Sequence, residues 1–119
     1  MNRNLLKGDV VLVSFPEHSP SGHEQQGRRP AIVVGTPFGK TRYQLLPVVP
    51  LTTQSGDWVK ENPMLYPVLA LGTGNLTRES IVLLDQIRTV DARRIVKYFG
   101  SLSKKEYQPI ADGLARIFG

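Results

Sequence analysis

The chain has 119 residues, a formal net charge of +5 and no cysteine. That length holds one domain with one core, and the missing thiols exclude disulfides, thiolate metal sites and cysteine nucleophiles. The basic balance, with a pI near 9.8, suits an anionic partner such as nucleic acid, an acidic protein or an anionic membrane. No run reaches transmembrane length and Met1 to Lys7 lacks the apolar stretch of a signal peptide, so a cytoplasmic protein is expected.

Lys7-Gly8-Asp9 is a turn signal, and Val10 to Phe15 reads as a strand with Val11, Val13 and Phe15 on one face. Pro16 to Gly27 has no periodicity and is long for a hairpin connection, so it reads as a loop with a use. Pro30 suits the first position of a strand that continues from Ala31 to Gly35. Pro37 to Lys40 turns the chain into a third strand, Tyr43 to Val49, in which Pro47 argues for an edge or a bulge. An irregular segment follows from Thr52 to Pro63, then strands over Met64 to Leu71 and Ser80 to Leu84, with Asp85 to Thr89 as an extension. Asp91 to Arg94 fits a brief helical turn and Ile95 to Leu102 a last strand.

The chain ends differently. Ser103-Lys104-Lys105-Glu106 matches a capping box, and Tyr107, Ile110, Leu114 and Ile117 recur at helical spacing. Pro109 predicts a short first turn followed by the helix proper. The expected fold is mainly β with a C-terminal helix, a partly open barrel or strongly curved sheet in a single domain over residues 1–119.

Four blocks carry a resemblance. They are Lys7-Gly8-Asp9-Val10 with Glu24-Gln25-Gln26-Gly27-Arg28-Arg29-Pro30-Ala31-Ile32-Val33-Val34, then Val49-Pro50-Leu51-Thr52-Thr53-Gln54-Ser55, then Ser80 to Thr89, and Gly100-Ser101-Leu102-Ser103. In this order and spacing the chain resembles the MazF/PemK/Kid toxin endoribonucleases of type II toxin–antitoxin systems. The resemblance implies an SH3-like barrel of the CcdB/MazF type, a homodimer, and metal-independent cleavage of single-stranded RNA, messenger RNA foremost. The implied products are a 2′,3′-cyclic phosphate and a 5′-hydroxyl, with no cofactor. A cognate acidic antitoxin is the implied protein partner, and no membrane is involved.

The same resemblance implies catalytic roles for Arg29, Thr52 and Glu24. Attack by a ribose 2′-hydroxyl needs a proton acceptor, a stabiliser of phosphoryl charge and a proton donor to the leaving oxygen. The guanidinium of Arg29 can donate to two oxygens and stays charged, and the hydroxyl of Thr52 can donate to a phosphoryl oxygen or orient the attacking group. Glu24 is either the acid–base carboxylate or a salt-bridge partner that orders its loop. His23, Arg28, Thr53, Gln54, Ser80, Gln86 and Arg88 are the expected RNA contacts. His23 departs from the family's small hydroxyl residue and reads as a base contact, a proton-transfer helper or an incidental loop residue. Arg28 reads as general phosphate attraction, and Arg88 equally as a residue that holds the fold. Asp85 matches an acidic family position, but Leu83 replaces the arginine that accompanies it there, so Asp85 reads as structural or as an RNA contact. Trp58 either stacks on a base or an antitoxin side chain, or folds back as a lid on the barrel. Two other readings compete with the nuclease. One is a CcdB-like toxin that binds DNA gyrase, and the other is a catalytically silent RNA- or protein-binding barrel.

Overall fold

The computed structural model describes residues 4–16 and 27–119. Seven strands among them form one antiparallel sheet: β1 (Asp9–Phe15), β2 (Gly27–Val33), β3 (Leu45–Thr52), β4 (Val68–Leu69), β5 (Ser80–Val82), β6 (Arg88–Asp91) and β7 (Ile95–Ser101). Their order is β4-β5-β3-β2-β1-β7, with β6 also paired to β3. A short helix α1 (Asp57–Glu61) follows β3, and a long one, α2 (Lys104–Phe118), closes the chain. The sheet curls because β1 and β7 slip register twice, between Val10 and Val11 and between Leu12 and Val13. Such irregularities bend a strand and increase its twist.

Alternation along the strands sorts the core onto two faces. Val10, Ile32, Val49, Leu51, Val82 and Leu84 face α2, which supplies Tyr107 and Ile110. Val11, Val13, Phe15, Ala31, Val33, Val48, Val90 and Ile95 fill the opposite side, inside the curl. The buried carboxylate of Asp9 ties the first turn to the last strand: it accepts from the backbone N–H of Leu6 at 2.8 Å and from Ser101 Oγ at 2.7 Å.

Several sequence expectations change. Pro47 was expected at an edge or a bulge, yet β3 lies inside the sheet, paired with β2 on one side and with β5 and β6 on the other. Proline is tolerated because the ladder with β2 runs out there. The Pro47 carbonyl accepts from Val34 N–H at 3.0 Å, and the ring has no N–H to return the bond. Pro109 does not divide the terminal helix, which is continuous from Lys104 to Phe118. The capping box forms, with Glu106 N–H donating to Ser103 Oγ at 3.1 Å and Ser103 N–H to Glu106 Oε1 at 2.7 Å. With that anchor and the burial of Tyr107 and Ile110, one lost helical hydrogen bond at an exposed turn is outweighed. Ile117, expected on the buried stripe, is 40% exposed.

The strand expected over Met64 to Leu71 shrinks to Val68–Leu69, and the irregular segment before it contains α1. Ser80 to Leu84 ends as a strand at Val82, a 3-10 turn covers Leu84–Gln86, and Arg88–Asp91 pairs with β3.

Gly113 gives a test of packing against propensity. A Cβ there would stand 2.6 Å from the Met64 carbonyl oxygen and would also collide with Leu84 Cδ1. Helix propensity favours Gly113→Ala by about 1 kcal/mol, whereas overpacking typically costs about 1–3 kcal/mol. The collision is with backbone, so packing should win. The variant is expected to lose up to about 2 kcal/mol in urea denaturation, and a gain would show that α2 has room to move away from Met64 and Leu84.

Candidate functional site

The first two site residues lie on neighbouring strands in the middle of the sheet. Thr52 ends β3 and pairs with Ile81 of β5, which in turn pairs with Val68 of β4. On the other edge of β3 the register runs Val33↔Val48, Ile32↔Val49 and Ala31↔Pro50. Continued two residues further, that register sets Arg29 opposite Thr52, and residues opposite each other share a face. Arg29 also pairs with Val13 of β1, so a central strand carries it, and it is exposed. Arg28 pairs with Ser14 and lies on the reverse face, as alternation requires.

Thr52 is half-buried, and its Oγ1 accepts from the N–H of Gln54 at 3.2 Å. The side chain therefore closes the turn after β3 while keeping its own proton available to donate. Both readings of Thr52 are compatible in one geometry.

Beyond Thr52 the chain forms a wall. Thr52, Gln54, Trp58, Tyr66, Leu83, Asp85 and Gln86 line a cleft of about 430 Å³. Its apolar base is a small cluster of Val59, Ile81 and Leu83, with Tyr66 packed against it. The Trp58 and Tyr66 rings meet edge to face, with centroids 4.7 Å apart and planes at 82°. Gly56 leaves room for the indole, since a Cβ there would lie 2.6 Å from Trp58 Nε1. The Tyr66 hydroxyl donates to Asp85 Oδ2 at 2.7 Å. That hydrogen bond, assisted by burial and by the carboxylate's charge, raises the Tyr66 phenol above its ordinary range and keeps it a donor.

The other expected RNA contacts disperse. Thr53 and Gln54 are exposed in the turn after β3, and Gln86 lies in the 3-10 turn at the cleft. Arg88 begins β6, pairs with Val48, and its guanidinium sits 5.1 Å from the centroid of the Phe15 ring. Ser80 is 3% exposed, and its hydroxyl donates to the Arg78 carbonyl at 3.0 Å. Glu24 and His23 lie outside the described residues. No group of three or more His, Asp or Glu placed to hold a metal occurs among the described residues. Asp85 joins the site through its bond to Tyr66. Tyr66 itself escaped sequence reasoning because it fell in an expected strand; Pro63 and Pro67 on either side were the signal against that strand.

The chain is similar to known proteins over nearly all of its length. The family described as PemK-like, MazF-like toxin of type II toxin–antitoxin system matches residues 6–118. Endoribonuclease PemK of Escherichia coli is 33% identical over 90 residues, which cover 76% of this chain and 63% of that protein, less than two thirds of its length. Endoribonuclease MazF of Staphylococcus saprophyticus is 28% identical over 111 residues, 92% of this chain and 88% of that one. Among solved structures, MazF from Deinococcus radiodurans superposes with a TM-score of 0.73 at 21% identity, covering 99% of both chains. A mycobacterial endoribonuclease in complex with its cognate antitoxin gives 0.68 at 22% identity, over 100% of this chain and 96% of that one. These superpositions establish the CcdB/MazF-type fold: a curled half-barrel sheet with a C-terminal helix.

Proposed function

The chain belongs to the PemK-like, MazF-like toxin family of type II toxin–antitoxin systems, and from that premise we propose that it is an endoribonuclease cleaving single-stranded RNA without a metal. The observation that carries this reading is the family match from residue 6 to residue 118, and the β2–β3 register, continued two residues beyond its last pair Ala31↔Pro50, leads to Arg29 and Thr52. An exposed arginine on β2 and a hydroxyl at the end of β3 are the groups assigned to a phosphodiester.

In the proposed reaction a carboxylate takes the proton of the ribose 2′-hydroxyl, and the 2′-oxygen attacks the adjacent phosphorus. The bond from phosphorus to the 5′-oxygen breaks, leaving a 2′,3′-cyclic phosphate, and the departing 5′-oxygen gains a proton to become a hydroxyl. Arg29 and Thr52 stabilise the charge on the phosphoryl oxygens. Glu24, outside the described residues, is assigned the proton acceptor, and the proton it takes from the 2′-hydroxyl is passed, directly or through water, to the leaving 5′-oxygen. Single strands are required because the 2′-oxygen must swing in line with the leaving oxygen, which a stacked helix prevents. Thr53, Gln54, Gln86, Arg88 and His23 are assigned to RNA around this centre, and Arg28, on the reverse face, to general attraction of phosphate. Ser80 is buried and bonded to the Arg78 carbonyl, so no RNA contact is assigned to it.

The solved relative in complex with its cognate antitoxin supports an antitoxin as the regulatory partner. A homodimer, with RNA across a groove between subunits, belongs to the same proposal.

The test is incubation with a long unstructured RNA in EDTA, followed by mapping of the ends. Discrete cuts bearing 2′,3′-cyclic phosphates and 5′-hydroxyls are expected. Intact RNA would overturn the reading. Stabilised gyrase–DNA cleavage complexes would then favour a gyrase-binding toxin, and a gel shift without cutting a silent binding barrel.

A further inference from the structure

The cleft beside Thr52 has more structure than phosphate chemistry requires. Two aromatic rings at a near-right angle form a corner, Leu83 lies at the apolar base, and a carboxylate stands at the rim. Its volume of about 430 Å³ falls in the range of small-ligand sites. The corner is built in advance, since Gly56 makes space for the indole and Tyr66 is fixed by Asp85.

We propose that this cleft is a nucleobase pocket that selects guanine at the nucleotide bordering the cleaved phosphate. The inference rests on the nuclease reading, because Thr52 belongs both to the cleft and to the proposed catalytic pair. Trp58, 37% exposed, offers its indole for stacking, which every base accepts and which therefore gives affinity without choice. Choice comes from Asp85. Its Oδ2 accepts from Tyr66, and Oδ1 together with the second lone pair of Oδ2 remain as adjacent acceptors. Guanine alone presents two adjacent donors, N1–H and N2–H, on its Watson–Crick edge. Adenine and cytosine present one donor next to an acceptor, and uracil one donor between two acceptors, so each would set a lone pair against the carboxylate. Tyr66 is a positioning residue that holds the carboxylate in plane with the incoming edge.

Trp58 is the only tryptophan in the chain, so its fluorescence reads the pocket directly. The probes are pentanucleotides of 2′-O-methyl uridine, which cannot be cleaved, with G, A, C or U placed at each position in turn. Saturable quenching is expected with guanine at one position, at an affinity about 10- to 100-fold above the other bases. Asp85→Asn should abolish that preference with an unchanged melting temperature. Tyr66→Phe, which keeps the ring and releases the carboxylate, should reduce it in part.

Equal affinity for the four bases, a guanine preference that survives Asp85→Asn, or quenching only by an acidic antitoxin peptide would overturn the proposal. The two readings fail separately. RNA cleavage with no guanine preference removes the pocket and keeps the nuclease. Guanine-selective quenching by a protein that leaves RNA intact removes the nuclease and keeps a base-binding pocket.

Discussion

Replacing Arg29 by alanine is expected to lower the single-turnover rate of RNA cleavage by about 10²–10³-fold, the usual loss when one donor to a developing oxyanion is removed. The side chain is exposed, near the end of a strand whose partners Val13 and Arg28's neighbour Ser14 stay in place, so stability should change by less than about 0.5 kcal/mol. Activity and stability are thus predicted to separate. Arg29→Lys refines the argument, because it keeps the charge and loses the planar fork that donates to two oxygens at once. A partial rescue by lysine would say that charge is most of the effect; no rescue would say that bidentate geometry is. The measurement is cleavage of a short RNA carrying a mapped site, in EDTA, beside a thermal melt. Cleavage near the wild-type rate would move the centre away from β2, and a melt lowered by many degrees would make Arg29 a structural residue.

Truncation of Ile110 to alanine is expected to cost about 2–5 kcal/mol, the range for a buried isoleucine or leucine that leaves a cavity. Ile110 is fully buried and packs in the cluster with Val10, Ile32, Val49, Leu51, Leu84 and Tyr107. Collapse to fill the space is opposed on the sheet side by six backbone ladders and on the helix side by close packing at Gly113, where no room is left for a Cβ beside Leu84 and Met64. The expected loss is a large part of the stability of a domain this size. Urea denaturation should show a lower midpoint with an unchanged slope. A loss below about 1 kcal/mol would mean that α2 rests on the sheet without sealing it. Cleavage per folded molecule should be preserved, since Ile110 faces away from Arg29 and Thr52, which continue the opposite face of the sheet.

The two faces explain what could be foreseen. Val11, Val13 and Phe15 alternate, Ser103 and Glu106 spell a cap, and Gly8-Asp9 turns the chain, so β1, the start of α2 and the barrel class followed from local signals. Pro47 and Pro109 misled because each signal was weighed against local hydrogen bonds alone. At Pro47 the neighbouring strand had already ended, and at Pro109 the cap and the buried face outweighed one lost bond. The segment from Met64 to Leu71 misled for the converse reason. Its apolar content serves a corner, not a ladder, and only Val68 and Leu69 find partners.

At the site, the sequence alone determined which residue types were present in the right order: an arginine before an apolar strand, a Thr-Thr-Gln-Ser run after another, and a lone tryptophan beyond it. These are properties of short stretches of chain, and they sufficed to point to phosphodiester chemistry. Only the tertiary structure decided which of them meet. The antiparallel register of β2 and β3 pairs Ala31 with Pro50, two residues short of Arg29 and Thr52, and the fold-back of α1 brings Trp58 to Tyr66 and, through it, to Asp85. Ser80 turned inward for the same reason, because its neighbours Ile81 and Val82 fix the strand between two packed faces. Register and burial depend on partners many residues away, and no local pattern encodes them.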